Sequence, residues 1–127
     1  MQDRYTFKYA IIRVVPKVER EEFFNVGVIL FCKRTQFLDI KYSIDQEKLN
    51  AFSTELEAEL LDNYLKGWKL ICDGNPSGGP IGKLDSSDRF GWLTACRSTI
   101  IQSSITRSGL TFDPKQELED IFEKYVL

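Results

Sequence analysis

The chain contains no histidine. Without imidazole there is no Ser-His-Asp or Cys-His machinery, no H-E-x-x-H metal site and no histidine proton shuttle. Chemistry, if any, falls to carboxylates, lysine, tyrosine, a cysteine or a carboxylate-bound magnesium ion. Cysteine is sparse: Cys32, Cys72 and Cys96 lie far apart, without a C-x-x-C pair. That pattern suits reduced thiols better than a disulfide framework or a zinc site, so neither a metal nor a cofactor is expected. Cys96 stands beside Arg97, and a nearby cation lowers a thiol's pKa. No apolar stretch approaches the roughly 20 residues that span a bilayer, and the opening M-Q-D-R-Y-T-F-K lacks a signal peptide's apolar core. The expectation is a cytoplasmic protein. Charge of one sign is also lacking: 17 basic residues stand against 19 acidic ones, a net charge of −2. This removes the global attraction to phosphate that marks many nucleic-acid binders and leaves a local basic patch open.

What is present is a chain of 127 residues, 43% hydrophobic, long enough for one sizeable core and too short for two ordinary domains. Residues 1–127 read as a single domain. From Tyr5 to Ile11 the odd positions are apolar while Thr6 and Lys8 are polar, the period of a half-buried strand. Arg13 falls on the face of Tyr5, Phe7, Tyr9 and Ile11, where a cation needs a partner, and Glu22 is the candidate. Pro16 ends the strand, and Lys17 to Glu22 read as a charged turn. A second strand spans Phe24 to Lys33, with Phe24, Val26, Val28 and Leu30 on one face. Gly27 inside it signals a bulge or a close backbone approach. A third strand runs from Phe37 to Tyr42, completing an antiparallel meander.

The period then changes. Asp45 to Phe52 suggests a helical turn, and Thr54 with Glu57 forms a capping box for a helix ending near Cys72. Leu56, Leu60, Leu61, Tyr64, Leu65, Trp68 and Ile71 recur at the three-and-four spacing of its apolar face. Asp73 to Gly82 is a breaker-rich loop without the lysine and hydroxyl residue of a phosphate loop. Asp85 to Thr94 reads as a further helical turn, Ser98 to Gln102 as a fourth strand, and Ser104 to Phe112 as holding a short fifth. Asp113, Pro114 and Gln116 mark the start of a terminal helix. The expected fold is α+β: a mainly antiparallel sheet of four to five strands with two helices packed on one face.

Two segments set polar residues inside apolar sequence: Val18 to Leu30 and Arg89 to Ser103. Burial there makes polar groups costly unless paired. Where Glu22, Asn25 and Gly27 meet Arg89, Arg97, Ser98 and Thr99 is the expected functional surface. No catalytic residue is assigned.

The motifs Y-A-I-I-R-V-V-P (Tyr9 to Pro16), E-R-E-E-F-F-N-V-G-V (Glu19 to Val28), G-P-I-G (Gly79 to Gly82) and R-F-G-W-L-T-A-C-R-S-T-I-I-Q (Arg89 to Gln102) make the chain similar to a bacterial family known only as domain of unknown function 3037. The resemblance implies no activity. Its members often read P-V-H-T-G where this chain has Ser104 to Ser108 before Gly109, so any role of that histidine does not transfer. It does imply a neighbour, since members tend to be encoded beside a protein similar to the HipA toxin kinases.

Three readings follow. A non-catalytic accessory or regulatory protein acting through protein contacts fits the missing catalytic constellation and the interface-type residues Arg89, Phe90, Trp92 and Arg97. A magnesium-dependent nuclease would use Asp39, Ile40 and Lys41 as D-x-K with Glu22 upstream, although alternating charge is ordinary on a solvated strand face. Nucleic-acid or nucleotide binding would rest on Arg13, Lys17, Arg20, Arg89, Arg97 and Arg107.

Overall fold

The computed structural model describes residues 4–15, 22–52, 57–95 and 99–127. Strand β1 (Tyr5–Val14) lies between β2 (Phe24–Cys32) on one side and two short strands, β4 (Ile101–Ser103) and β5 (Arg107–Thr111), on the other. β3 (Phe37–Tyr42) pairs with the far edge of β2, and every pairing is antiparallel. The α+β class, the N-terminal meander and the mainly antiparallel sheet are those expected. The fourth and fifth strands act as one broken strand. β4 pairs with Ile12 to Val14, and β5 pairs with Tyr5 to Tyr9 in a register displaced by one residue. At the break Ser104 mends the ladder. Its backbone N–H donates to the Ile11 carbonyl at 2.8 Å, and its Oγ accepts the Ile11 N–H at 2.8 Å. The hydroxyl thus supplies the acceptor that a continuous strand would have supplied, and the Ile11 N–H is not left unpaired.

Alternation along β1 divides the interior in two. Ala10, Ile12 and Val14 join one core with Leu61, Leu65, Trp68, Phe90 and Leu93, while Phe7 and Ile11 join another with Leu118, Ile121 and Phe122. β2 serves both through a bulge. Ile12 faces Gly27 and Arg13 faces Asn25, so Val26 is the extra residue. The bulge exchanges the faces: Phe24 and Val26 share a core with Ile29 and Phe31, whereas Val28 and Leu30 turn the opposite way. Uniform alternation from Phe24 to Leu30 therefore does not hold. Gly27 is both bulge and close approach, because a Cβ there would lie 2.7 Å from the Lys41 carbonyl oxygen and 2.9 Å from Tyr42 Cβ.

Five α-helices complete the described chain: α1 (Gln46–Phe52), α2 (Ala58–Cys72), the single turn α3 (Gly79–Gly82), α4 (Ser86–Leu93) and α5 (Pro114–Tyr125). Asp45, Asp85 and Asp113 each accept an N–H of the following first turn. α2 starts later than its capping box implied: Glu57 occupies the N-cap without a side-chain bond, and Thr54 lies outside the described residues. The placement of the helices also differs from expectation. α2 and α4 cover one face of the sheet and α5 the other. The N-terminal meander is apolar on both faces, so one layer of helices leaves half of that surface in water.

Two glycines carry opposite expectations. Gly27→Ala destabilises the fold by about 1–3 kcal/mol, because the methyl group meets backbone on the neighbouring strand. Gly67→Ala, in the interior of α2 with nothing within 4 Å of the added Cβ, stabilises by about 0.5–1 kcal/mol. Urea midpoints of the two variants against wild type check both signs.

Candidate functional site

The residues expected to form one surface serve different elements. Arg89, on α4, clamps the end of α2: Nη1 donates to the carbonyls of Ile71 (2.9 Å) and Cys72 (2.6 Å), and Nε donates to Leu84 (3.0 Å). A guanidinium on the last carbonyls of a helix satisfies acceptors that have no intrahelical donor and complements the negative end of its dipole. Asn25 works on the opposite face, where its Nδ2 donates to the Tyr125 carbonyl at 3.1 Å and ties β2 to the end of α5. Gly27 sits against β3, Glu22 precedes β2, and Thr99 lies on the approach to β4 with its hydroxyl donating to the Ile101 carbonyl at 2.6 Å. Arg97, Ser98 and Cys96 lie outside the described residues, as do Lys17, Arg20 and Glu21.

The G-P-I-G motif has a structural explanation. Gly79 takes φ +73, and a Cβ on buried Gly82 would lie 2.7 Å from the Asn75 carbonyl oxygen. The motif folds the chain tightly between α2 and α4. D-x-K is likewise divided. Asp39 pairs with Lys69 of α2, and Lys41 pairs with Glu119 of α5. Among the described residues no group of three or more His, Cys, Asp or Glu side chains is arranged to hold a metal ion.

Phe90 and Trp92, two residues apart on α4, have different fates. Phe90 is buried and stacks on Phe31 with ring centroids 5.4 Å apart, whereas Trp92 remains 40% exposed. Trp92 borders a groove of about 390 Å³ formed with Tyr64, Gly67, Trp68 and Ile71 of α2 and with Thr99 and Ile101 leading into β4. The groove is mainly apolar and its Tyr64 is 52% exposed. The helical spacing places Tyr64, Trp68 and Ile71 on one apolar face, but only Leu61, Leu65, Trp68 and Ile71 of that face are buried, while Leu60 and Tyr64 are exposed and Leu56 lies outside the described residues. Gly67 was the missed signal: a glycine in a helix interior, where it is unfavourable, marks the floor of the groove.

A second, smaller cavity lies on the α5 face, between the second half of β1 and the break between β4 and β5. Arg13, Tyr9, Asn25, Ser104, Arg107 and Tyr125 supply its polar lining. Arg13 does occupy the face read from the alternation, and an aromatic ring lies against it. The guanidinium carbon sits 4.1 Å from the Phe23 ring centroid, and no salt bridge to Arg13 is present among the described residues.

Both cysteines that the structure describes, Cys32 and Cys72, are free and buried. Burial, followed by the charge of Asp39, pushes the Cys72 thiol up to about 12. Lys69 is also raised: burial alone would lower it, but its bonds to Asp39 and Asp73 prevail.

Residues 9–126 match the family described as "Protein of unknown function (DUF3037)", and the chain belongs to that family. No curated protein and no solved structure matches the chain.

Two expectations follow. Arg89→Ala removes three bonds at the α2 end and costs about 2 kcal/mol in denaturant unfolding, with α2 fraying first in amide exchange. Cys72 binds its proton more tightly in the folded than in the unfolded state. Its contribution to stability is therefore complete below about pH 9 and is lost as pH rises towards 12. Unfolding midpoints measured across that range fall, and Cys32 and Cys72 resist alkylation at neutral pH until the chain unfolds, as peptide mapping by mass spectrometry will show.

Proposed function

We propose that this member of the family is a non-catalytic accessory or regulatory protein that acts by binding another protein through the groove between α2, Trp92 and the approach to β4. The observation that carries the reading is Gly67. A glycine inside a helix costs roughly 0.5–1 kcal/mol relative to alanine, and here no neighbour within 4 Å requires the missing Cβ. The fold gains nothing from it, whereas a side chain inserted between Tyr64, Ile71 and Trp92 does. Exposed tyrosine and tryptophan around an apolar floor are the composition of interface anchors.

The occupant is an apolar segment of a partner protein. The partner to try first is the HipA-like kinase neighbour that the family resemblance implies. The two alternative readings have less support: Asp39 and Lys41 are each engaged in ion pairs to different helices, and Arg89 is committed to backbone carbonyls.

Gly67→Glu tests the proposal without threatening the fold, because it replaces a poor helix former with a better one and places a charge in the groove. In co-expression with the kinase neighbour, wild type co-elutes with it on size exclusion, and Gly67→Glu weakens the complex at least tenfold at an undiminished thermal midpoint. Absence of a wild-type complex, or equal binding by the variant, overturns the reading.

A further inference from the structure

The cavity on the α5 face goes beyond the proposed groove, which is formed on the other side of the sheet. It measures about 220 Å³ and is lined by two arginines, Arg13 and Arg107, with no carboxylate among its described lining residues. That is unusual in a chain whose net charge is −2. Neither arginine has a salt bridge among the described residues.

Arg13 is held as a recognition group is held. β1 places it between Asn25 of β2 and Gln102 of β4, and the Phe23 ring lies against its guanidinium at 4.1 Å. Such stacking fixes the plane of the fork while leaving its terminal nitrogens available for in-plane hydrogen bonds. Its Nε is buried and has no hydrogen-bond partner. A buried donor of a charged group is normally satisfied, and leaving one unpaired is unfavourable. The neighbouring polar groups do not supply the acceptor. The Ser104 hydroxyl accepts from Ile11 N–H and donates to the Ile105 carbonyl, while the Asn25 amide nitrogen is directed to Tyr125. The remaining polar lining is Arg107 across β1, the Asn25 amide oxygen and the hydroxyls of Tyr9 and Tyr125, which accept as well as donate. Burial, and then the Tyr125 hydroxyl to which it is hydrogen-bonded, raise the pKa of Tyr9.

We propose that this cavity binds the oxyanion group, phosphate or carboxylate, of a small molecule, with Arg13 and Arg107 as its counter-charges. The terminal nitrogens of the Arg13 fork, rather than its buried Nε, then meet the ligand, and planar forks recognise both kinds of oxyanion. The volume lies below the roughly 300–1,000 Å³ of sites that enclose a drug-sized molecule, so the cavity takes the charged group and leaves the rest of the ligand outside.

Calorimetric titration of the full chain with inorganic phosphate and, separately, with succinate tests this, with chloride at matched ionic strength as the reference. Wild type binds at least one of the two saturably, and the ion that binds identifies the oxyanion. Arg107→Ala, at an exposed position, weakens binding at least tenfold while leaving the thermal midpoint of the free protein unchanged. Arg13→Lys, which keeps the charge and loses the fork, weakens it as well. Absence of saturable binding for both ions, or wild-type affinity in Arg107→Ala, overturns the proposal.

Discussion

β1 is the element on which the rest of the structure depends. It is hydrogen-bonded along both edges and packed on both faces, so the two cores, the meander and the broken β4–β5 edge all meet on ten residues. Burying Ile12 and Val14 on one side and Phe7 and Ile11 on the other removes apolar surface from water in both directions, and this holds helices on both faces. The same position explains why Arg13 is exceptional. A cation on a central strand cannot turn freely into solvent as one on an edge strand can, and its surroundings must hold it. Here they do so with an aromatic face.

Two local irregularities adapt this frame. The bulge at Val26 lets β2 exchange faces, so that its two halves supply different cores. The break at Ser104 displaces β5 by one residue against β1 and borders the cavity lined by Arg13 and Arg107, with the Ser104 hydroxyl preserving the ladder. Both are places where regular pairing yields to something else, and one of them adjoins a candidate ligand site. Bulges and strand breaks commonly re-aim side chains in this way.

The polar residues within apolar sequence also separate into roles. Arg89, Asn25 and Gly27 stabilise the fold at three sites: the end of α2, the end of α5 and the approach of β3. Gly67, whose missing Cβ no neighbour requires, lies with the exposed ring of Trp92 on one groove. A polar or aromatic residue in a distinctive motif is therefore not in itself a sign of function; the sign is a residue whose cost the rest of the fold does not account for.

The sequence by itself determined the α+β class, the three-strand meander, the start of α5 at Asp113 and Pro114, the partial burial of Arg13 and the irregularity at Gly27, because each follows from local periodicity or backbone restriction. The absence of histidine likewise excluded whole classes of chemistry without reference to any fold. Tertiary structure decided the rest. Helical periodicity shows that α2 and α5 each have an apolar face but not which side of the sheet receives it. A bulge inverts every facing beyond it, and no local rule places its extra residue at Val26. That Arg13 meets the Phe23 ring, and that Gly67 opens onto a groove, depends on chain segments distant in sequence, and only their packing brings them together.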